Sequence, residues 1–266
     1  MDPVKETAAG GVATPGHGPL LVLDGVSPEL TVLLGRPGQA PILRRAPASG
    51  RAAELLAPMI AEALGEAGLG PSQLAGVACV RGPGSFTGIR VVLATALGLS
   101  LGAGLPMAGL DFLPLLAASA ARAATGAVLA VTHARAGQVY VQAFLADGDL
   151  APMGRPEALF LEAALARASE AAAVGPLWLV GDGAVRHREA FSRVVPLATV
   201  LGPEACAPHP DTLLAAARAA AYGFAPIDPL YLRQSDAEEN LAALAAGRGL
   251  SPETADALLA RAVARE

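Results

Sequence analysis

The sequence predicts an α/β protein, and three features carry that reading. Apolar runs of strand length alternate with longer helical patterns along most of the 266 residues. Hydrophobic residues make up 53% against 16% charged, a core-rich composition that places the chain far from the disordered class. The first strand, Leu20–Leu23, turns at Asp24-Gly25 and returns as Leu30–Leu34. That opening hairpin sets the chain apart from dinucleotide-binding folds, whose first strand runs directly into a helix.

The remaining elements follow in order. Residues 1–18 are rich in Gly, Pro and Thr and are expected to form a disordered arm. Leu55, Leu56, Met59, Ile60, Ala63 and Leu64 set helical spacing from Arg51 to Ala67, with a kink or break expected at Pro58. A strand is predicted from Gly76 to Val80, then the loop Arg81–Ser85, a long helix from Phe86 to Gly104, a strand near Met107 and a helix from Asp111 to Ala124. The second half reads as strands Ala127–Val131 and Gln138–Leu145, a helix Glu157–Glu170, a strand Leu177–Val180 and a helix Asp211–Tyr222 closed by Gly223. In the tail, Ser235-Asp236 with Glu239 three residues on forms a capping box for a helix through Ala246, and Ser251-Pro252 starts another to Ala264. No internal repeat is visible.

Composition removes several chemistries. Lys5 is the only lysine and lies in the N-terminal arm, so no phosphate-loop or Schiff-base lysine is available to the body. Cys79 and Cys206 are isolated, without a CxxC. His17, His133, His187 and His209 form neither HxxxH nor HExxH, so helical metal spacing is absent. The net charge of −5 and 4% aromatic content argue against a surface that grips RNA on its own. Residues 1–18 hold no apolar signal-peptide core, and polar and turn residues interrupt the apolar stretch Ile89–Leu110. The expected location is the cytoplasm, with no membrane partner.

Arg81-Gly82-Pro83-Gly84-Ser85-Phe86-Thr87-Gly88-Ile89-Arg90 is the most informative segment. It lacks the lysine of a Walker A loop. Pro83 and Thr87 stand where a serine-hydrolase elbow needs glycines. It also comes too late in the chain for a Rossmann fingerprint. A tight strand-to-helix turn, or an anion site at a helix N-terminus, remains. Gly181-Asp182-Gly183 after the strand Leu177–Val180 reads as a turn, with a phosphate- or adenosine-facing loop as the alternative.

RGPGSFTGIR, followed by an Ala/Gly-rich helix and LPMAGLDFL, resembles the signature block of the TsaB (YeaZ) family. LLVLDG, AAELLAPMI with Glu54 and Pro58, HARAGQVYVQAF and PLYLR (Pro229–Arg233) are similar to further blocks of that family, over roughly residues 19 to 233. The resemblance implies a two-lobed, degenerate actin-like ATPase (ribonuclease H-like) α/β fold with mixed sheets. The lobes are expected at 19–106 plus 209–224 and at 107–208, with a helical extension at 225–266. It implies a non-catalytic scaffold that heterodimerises with a TsaD-type catalytic subunit. That subunit transfers threonylcarbamoyl to the adenosine beside the anticodon in tRNAs reading codons that start with A. TsaC-type enzymes supply threonylcarbamoyl-adenylate, and a TsaE-type ATPase joins the complex. ATP or ADP and a metal ion belong to the TsaD and TsaE partners, and none is expected on this chain alone. The alternatives are an independent actin-like phosphotransferase and a glycoprotease-like peptidase, for which the sequence offers no metal motif or triad.

The chain departs from the family pattern where a nucleotide would sit. Gly25-Val26 follow Asp24, the family's first-helix His falls on Ala52, its second-lobe Asp on His133 and its Glu on Gln138. Asp24, Gly181 and Asp182 therefore remain as a possible degenerate nucleotide site, without a catalytic or metal site. The expected partner surface lies on the long helix. At about 3.6 residues per turn, Gly88, Val91, Thr95, Gly98 and Gly102 share one side, and Ile89, Leu93, Ala96 and Leu97 the other. A helix apolar on both sides must be covered on both. The surface comprises Phe86, Thr87, Gly88, Val91, Ala94, Thr95, Gly98, Leu101 and Gly102, with Leu55 and Met59 of the preceding helix. In the family this face pairs with the same helices of the TsaD-type subunit or of a second copy, and tRNA is bound only through the complex.

Overall fold

The computed structural model describes residues 18–47, 50–135 and 137–233. The expected N-terminal arm up to residue 17 and the tail helices from Ser235 and Ser251 lie outside the described residues. The chain divides into a unit Met1–Leu230 and a unit Tyr231–Glu266, of which only residues 231–233 are described.

Among the described residues, the first unit builds two mixed sheets. In the first, β1 (Leu20–Asp24) pairs antiparallel with β2 (Glu29–Gly35), which pairs antiparallel with β3 (Ile42–Pro47). On its other side β1 runs parallel to β4 (Gly76–Gly82), and β4 parallel to β5 (Met107–Asp111). The order is β3-β2-β1-β4-β5. In the second sheet β6 (Gly126–Arg135) pairs antiparallel with β7 (Gln138–Asp147), whose far edge carries β8 (Asp149–Pro152) and β9 (Glu157–Phe160). On the other side β6 runs parallel to β10 (Leu177–Val180), and β10 to β11 (Thr199–Val200). Both sheets thus wind alike: two antiparallel steps to one side of a central strand and two parallel steps to the other. This is the mixed, ribonuclease H-like α/β architecture, present twice with no repeat in the sequence to announce it.

Helices cover both faces of each sheet. α1 (Ala52–Ala67) and α2 (Phe86–Ala103) pack on one face of the first sheet. Leu21, Leu23, Val32, Leu56, Ile60, Val77 and Val92 meet there in one apolar cluster. α3 (Phe112–Ala121) packs on the second sheet, α7 (Pro210–Ala219) on the first, and the two touch each other between the sheets. α4 (Leu161–Ala172) closes the far side of the second sheet with α5 (Asp182–Arg186) and α6 (Arg188–Val194), over Leu129, Val131, Val141, Leu179 and Phe191.

Several elements differ from the sequence reading, each for a long-range reason. α1 runs through Pro58 without a break. Pro58 is exposed, so water can serve the carbonyl that loses its helical N–H partner. The helix expected from Glu157 begins at Leu161, because Glu157–Phe160 finds backbone partners on Gln138–Val141. α7 ends at Ala219 rather than Tyr222, since Tyr222 is buried and Gly223 exchanges both backbone hydrogen bonds with Met107, at 2.7 and 2.9 Å. β5 belongs to the first sheet, so that sheet extends beyond residue 106. Residues 225–230, grouped with the extension on sequence, stay with the main body. Ile227 packs on the first core, and the Leu230 N–H donates to the Arg81 carbonyl at 2.8 Å.

Candidate functional site

The signature loop joins β4 to α2. The Arg81 guanidinium pairs with the Asp111 carboxylate at 2.7 Å, tying the end of β4 to the end of β5. The Gly82–Pro83 peptide bond is cis. Ser85 caps α2, its hydroxyl oxygen accepting from the Gly88 N–H at 3.2 Å. The cap takes up one of the donors that a helix N-terminus would offer to an anion. Inside the first turn the Gly88 backbone presses on the turn after β1. A Cβ at Gly88 would overlap the Gly25 carbonyl oxygen, and a Cβ at Gly25 would lie 2.9 Å from the Gly88 carbonyl oxygen and from Val92 Cγ2.

Along α2 the side facing the sheet is Gly88, Ile89, Val92, Ala96 and Ser100, all buried. Leu93 and Leu97 flank it, partly buried. The opposite side is open. Phe86, Thr87, Ala94, Gly98, Leu101 and Gly102 are exposed, Leu101 at 80%. A Cβ at Gly98 or Gly102 would meet nothing within 4 Å among the described residues. Val91, Thr95 and Leu55 border this strip, half-buried. Thr95 turns its hydroxyl inward to the Val91 carbonyl at 2.8 Å, so its polar group is satisfied within the helix. Arg90 folds over the Phe86 ring at 3.8 Å.

Two residues assigned to this surface from sequence belong elsewhere. Gly88 is filled by the chain's own Gly25, and Met59 is buried in the first core. A glycine carries no side chain to signal which side is occupied, and α1 rotates Met59 onto the sheet beside Ile60.

The possible nucleotide residues are engaged in structural bonds. Asp24, buried at the end of β1, accepts from the Val26 N–H at 2.8 Å and the Ser27 N–H at 3.3 Å, while its second oxygen accepts from the Ser27 hydroxyl. Gly181, at φ 104°, abuts the Val131 carbonyl, a site where only glycine fits. Asp182 accepts from Thr132 Oγ1 at 2.6 Å and from the His133 N–H at 3.0 Å. Where the sequence offered a turn, Gly181 instead starts α5. Asp24 ends a strand of the first sheet and Asp182 follows a strand of the second. Each carboxylate closes its own turn, and no group of three metal-binding side chains occurs among the described residues. The donors present do not fit a magnesium–nucleotide site.

Burial pushes the Asp24 carboxyl above the usual carboxylate range, against the pull of its three hydrogen bonds and of Arg45. In the window between the unfolded and folded values the native state holds the proton more tightly. This group's contribution is therefore fully present below the unfolded value and is lost as pH rises through the folded one. Asp24→Asn removes the titration while keeping an acceptor oxygen. Urea unfolding should show the wild type gaining on the variant as pH is lowered; a pH-independent difference would rule this out.

Sequence reasoning missed a second cluster, at the ends of β6 and β10. There Arg186 reaches His133 Nε2 at 2.8 Å beside Asp182. The only signal available was the density of basic residues in Val185-Arg186-His187-Arg188-Glu189-Ala190-Phe191-Ser192-Arg193. His209 is exposed ahead of α7, with Nδ1 accepting from the Asp211 N–H at 3.2 Å.

Residues 46–151, from the end of β3 to β8, match the family model described as TsaD, tRNA N6-adenosine threonylcarbamoyltransferase. The chain is 45% identical over 85 residues to the tRNA threonylcarbamoyladenosine biosynthesis protein TsaB of Escherichia coli (strain K12), and 43% identical over 84 residues to that of Haemophilus influenzae. Each match covers 31% of this chain, and the chain spans 36% of either relative's length. Among solved structures, an uncharacterized Pseudomonas aeruginosa protein with similarity to peptidase YEAZ superposes with a TM-score of 0.64 at 25% identity. That superposition covers 81% of this chain and 100% of the other.

Proposed function

We propose that the chain is a TsaB/YeaZ-family protein, acting as a non-catalytic, cytoplasmic scaffold for threonylcarbamoyl transfer to tRNA and docking a TsaD-type subunit through α2. The observation that carries the reading is the open strip Ala94, Gly98, Leu101 and Gly102. None of these four is charged, the helix's other face is already buried, and Arg90, one turn earlier on the open side, folds over Phe86. Exposed apolar surface of this kind, lined by small residues, suits close approach of another helix. The segment that matches the TsaD family model includes both α1 and α2. A TsaD-type subunit would therefore present related helices, and the same face could pair two copies of this chain. Engagement of Asp24 and Asp182 in their own turns supports the absence of a nucleotide reaction here. A TsaE-type ATPase and tRNA would join through the complex.

The purified chain, supplied with threonylcarbamoyl-adenylate and an unmodified tRNA, should yield no modified adenosine. Product should form when a TsaD-type subunit and a TsaE-type ATPase are added, and should depend on this chain. Turnover by the chain alone that disappears in Asp24→Ala would overturn the scaffold assignment.

A further inference from the structure

From the surface formed by α5 and α6, we infer that Arg186 and Arg188 form a phosphate-binding site that contacts an RNA backbone. The inference rests on the tRNA role proposed above and adds a contact made by this chain itself. A concavity of about 440 Å³ is lined there by Arg186, His187, Arg188, Glu189 and Arg193, with Val185 and Ala190. Arg44, Arg51, Arg81, Arg122 and Arg167 each pair with a carboxylate: Arg44 with Glu62 and Glu66, Arg51 with Glu54, Arg81 with Asp111, Arg122 with Asp211, Arg167 with Glu157 and Glu170. Arg186 and Arg188 do not. Arg186 is held by the neutral acceptor His133 Nε2 at 2.8 Å. Arg188 is held by the carbonyl oxygens of Val200 and Leu201, at 2.9 and 3.0 Å. These bonds fix both guanidinium groups in place and leave N–H donors over. They also leave both positive charges uncompensated, with no carboxylate within ion-pair distance among the described residues.

The neighbouring histidines respond to that field. After burial, Arg186 is the next cause holding His133 and His187 below the usual imidazole range, so both stay neutral near pH 7. Since Arg186 must donate to Nε2, the His133 proton sits on Nδ1, which is buried without an acceptor among the described residues. Arg193 adds a third charge. Glu189 offsets it only loosely, at 3.7 Å with both side chains largely exposed. The lining thus carries three arginines against one carboxylate, in a chain of net charge −5. Its lining holds no Phe, Tyr or Trp, and the one ring is the His187 imidazole, so phosphate contacts outweigh base stacking. Two ordered guanidinium groups pay little further side-chain entropy on meeting a phosphate.

The test compares the full-length chain with Arg186→Gln/Arg188→Gln, titrating an unmodified tRNA transcript across a salt series. The wild type should bind weakly. The double variant should bind roughly tenfold more weakly at low salt, with a log–log salt slope shallower by about 1.5. Because Arg188 also anchors the end of β11, Arg186→Gln alone is the second variant; its fold is less exposed to risk, and its slope should fall by about half as much. Equal affinity and slope in the folded variants, or no binding by the wild type, overturns the inference. Displacement of the RNA by millimolar ADP or inorganic phosphate at constant ionic strength would assign the site to a small phosphate compound and also overturn it. Capture of a TsaD-type subunit should be unchanged in both variants. Failure of that capture in the wild type counts against the scaffold role, and is read separately from the tRNA titration.

Discussion

Gly98→Arg is expected to abolish capture of a TsaD-type partner while leaving the chain folded. Gly98 is exposed near the middle of α2, and a Cβ there touches nothing within 4 Å among the described residues. Replacing an interior helical glycine by arginine removes the conformational penalty of glycine, so the isolated chain should unfold slightly later, by up to about 1 kcal/mol. In a docked complex the same side chain would bury a guanidinium against a strip of Ala94, Leu101 and Gly102 with no carboxylate supplied. An unpaired buried charge costs about 3–5 kcal/mol, which corresponds to at least a hundredfold loss of affinity. Calorimetric titration against the partner, with thermal unfolding of the chain alone as control, measures both effects. Wild-type affinity in a folded variant would move the interface off this helix. Loss of the fold would mean that the strip packs within the chain.

Gly88→Ala is expected to have the opposite profile, a loss of stability without any direct part in docking. Its added methyl would collide with the Gly25 carbonyl, so the obstacle is backbone rather than a side chain that can rotate away. That backbone is itself held, because Asp24 bonds Val26 and Ser27 around the same turn. Ile89 and Val92, buried on either side of the contact, prevent the first turn of α2 from lifting. Overpacking of this kind costs about 1–3 kcal/mol where side chains can yield, and a backbone-on-backbone collision should exceed about 3 kcal/mol. Urea unfolding should show a strongly lowered midpoint or no cooperative transition. A midpoint within about 1 kcal/mol of wild type would show that the turn after β1 can move. Any partner-binding defect of this variant should scale with its unfolded fraction, which separates it from Gly98→Arg.

The sequence by itself determined the α/β class, the opening hairpin, the strand at Leu177–Val180 and the extent of α2. Each is written in local periodicity and turn residues, which neighbouring side chains alone can impose. The small, apolar make-up of α2 was equally local, but which of its sides is covered was not, since Gly88 is buried and Ala94 and Leu101 are exposed. What only the tertiary structure decided are the matters that depend on a partner far along the chain. Glu157–Phe160 became a strand because Gln138–Val141 was there to pair with it. The second sheet repeats the winding of the first with no repeated residues, since topology is set by which apolar faces meet and not by identity. Gly88 turned inward and Gly98 outward although both are the same residue, and a residue without a side chain carries no mark of which side is filled. Asp24 and Asp182 were candidates for a ligand until Ser27 and Thr132 were found on their oxygens. Nothing in the sequence sets Arg186 and Arg188 apart from other arginines; the fold places neutral acceptors beside them, and whether a charge is compensated depends on distances that only the folded chain creates.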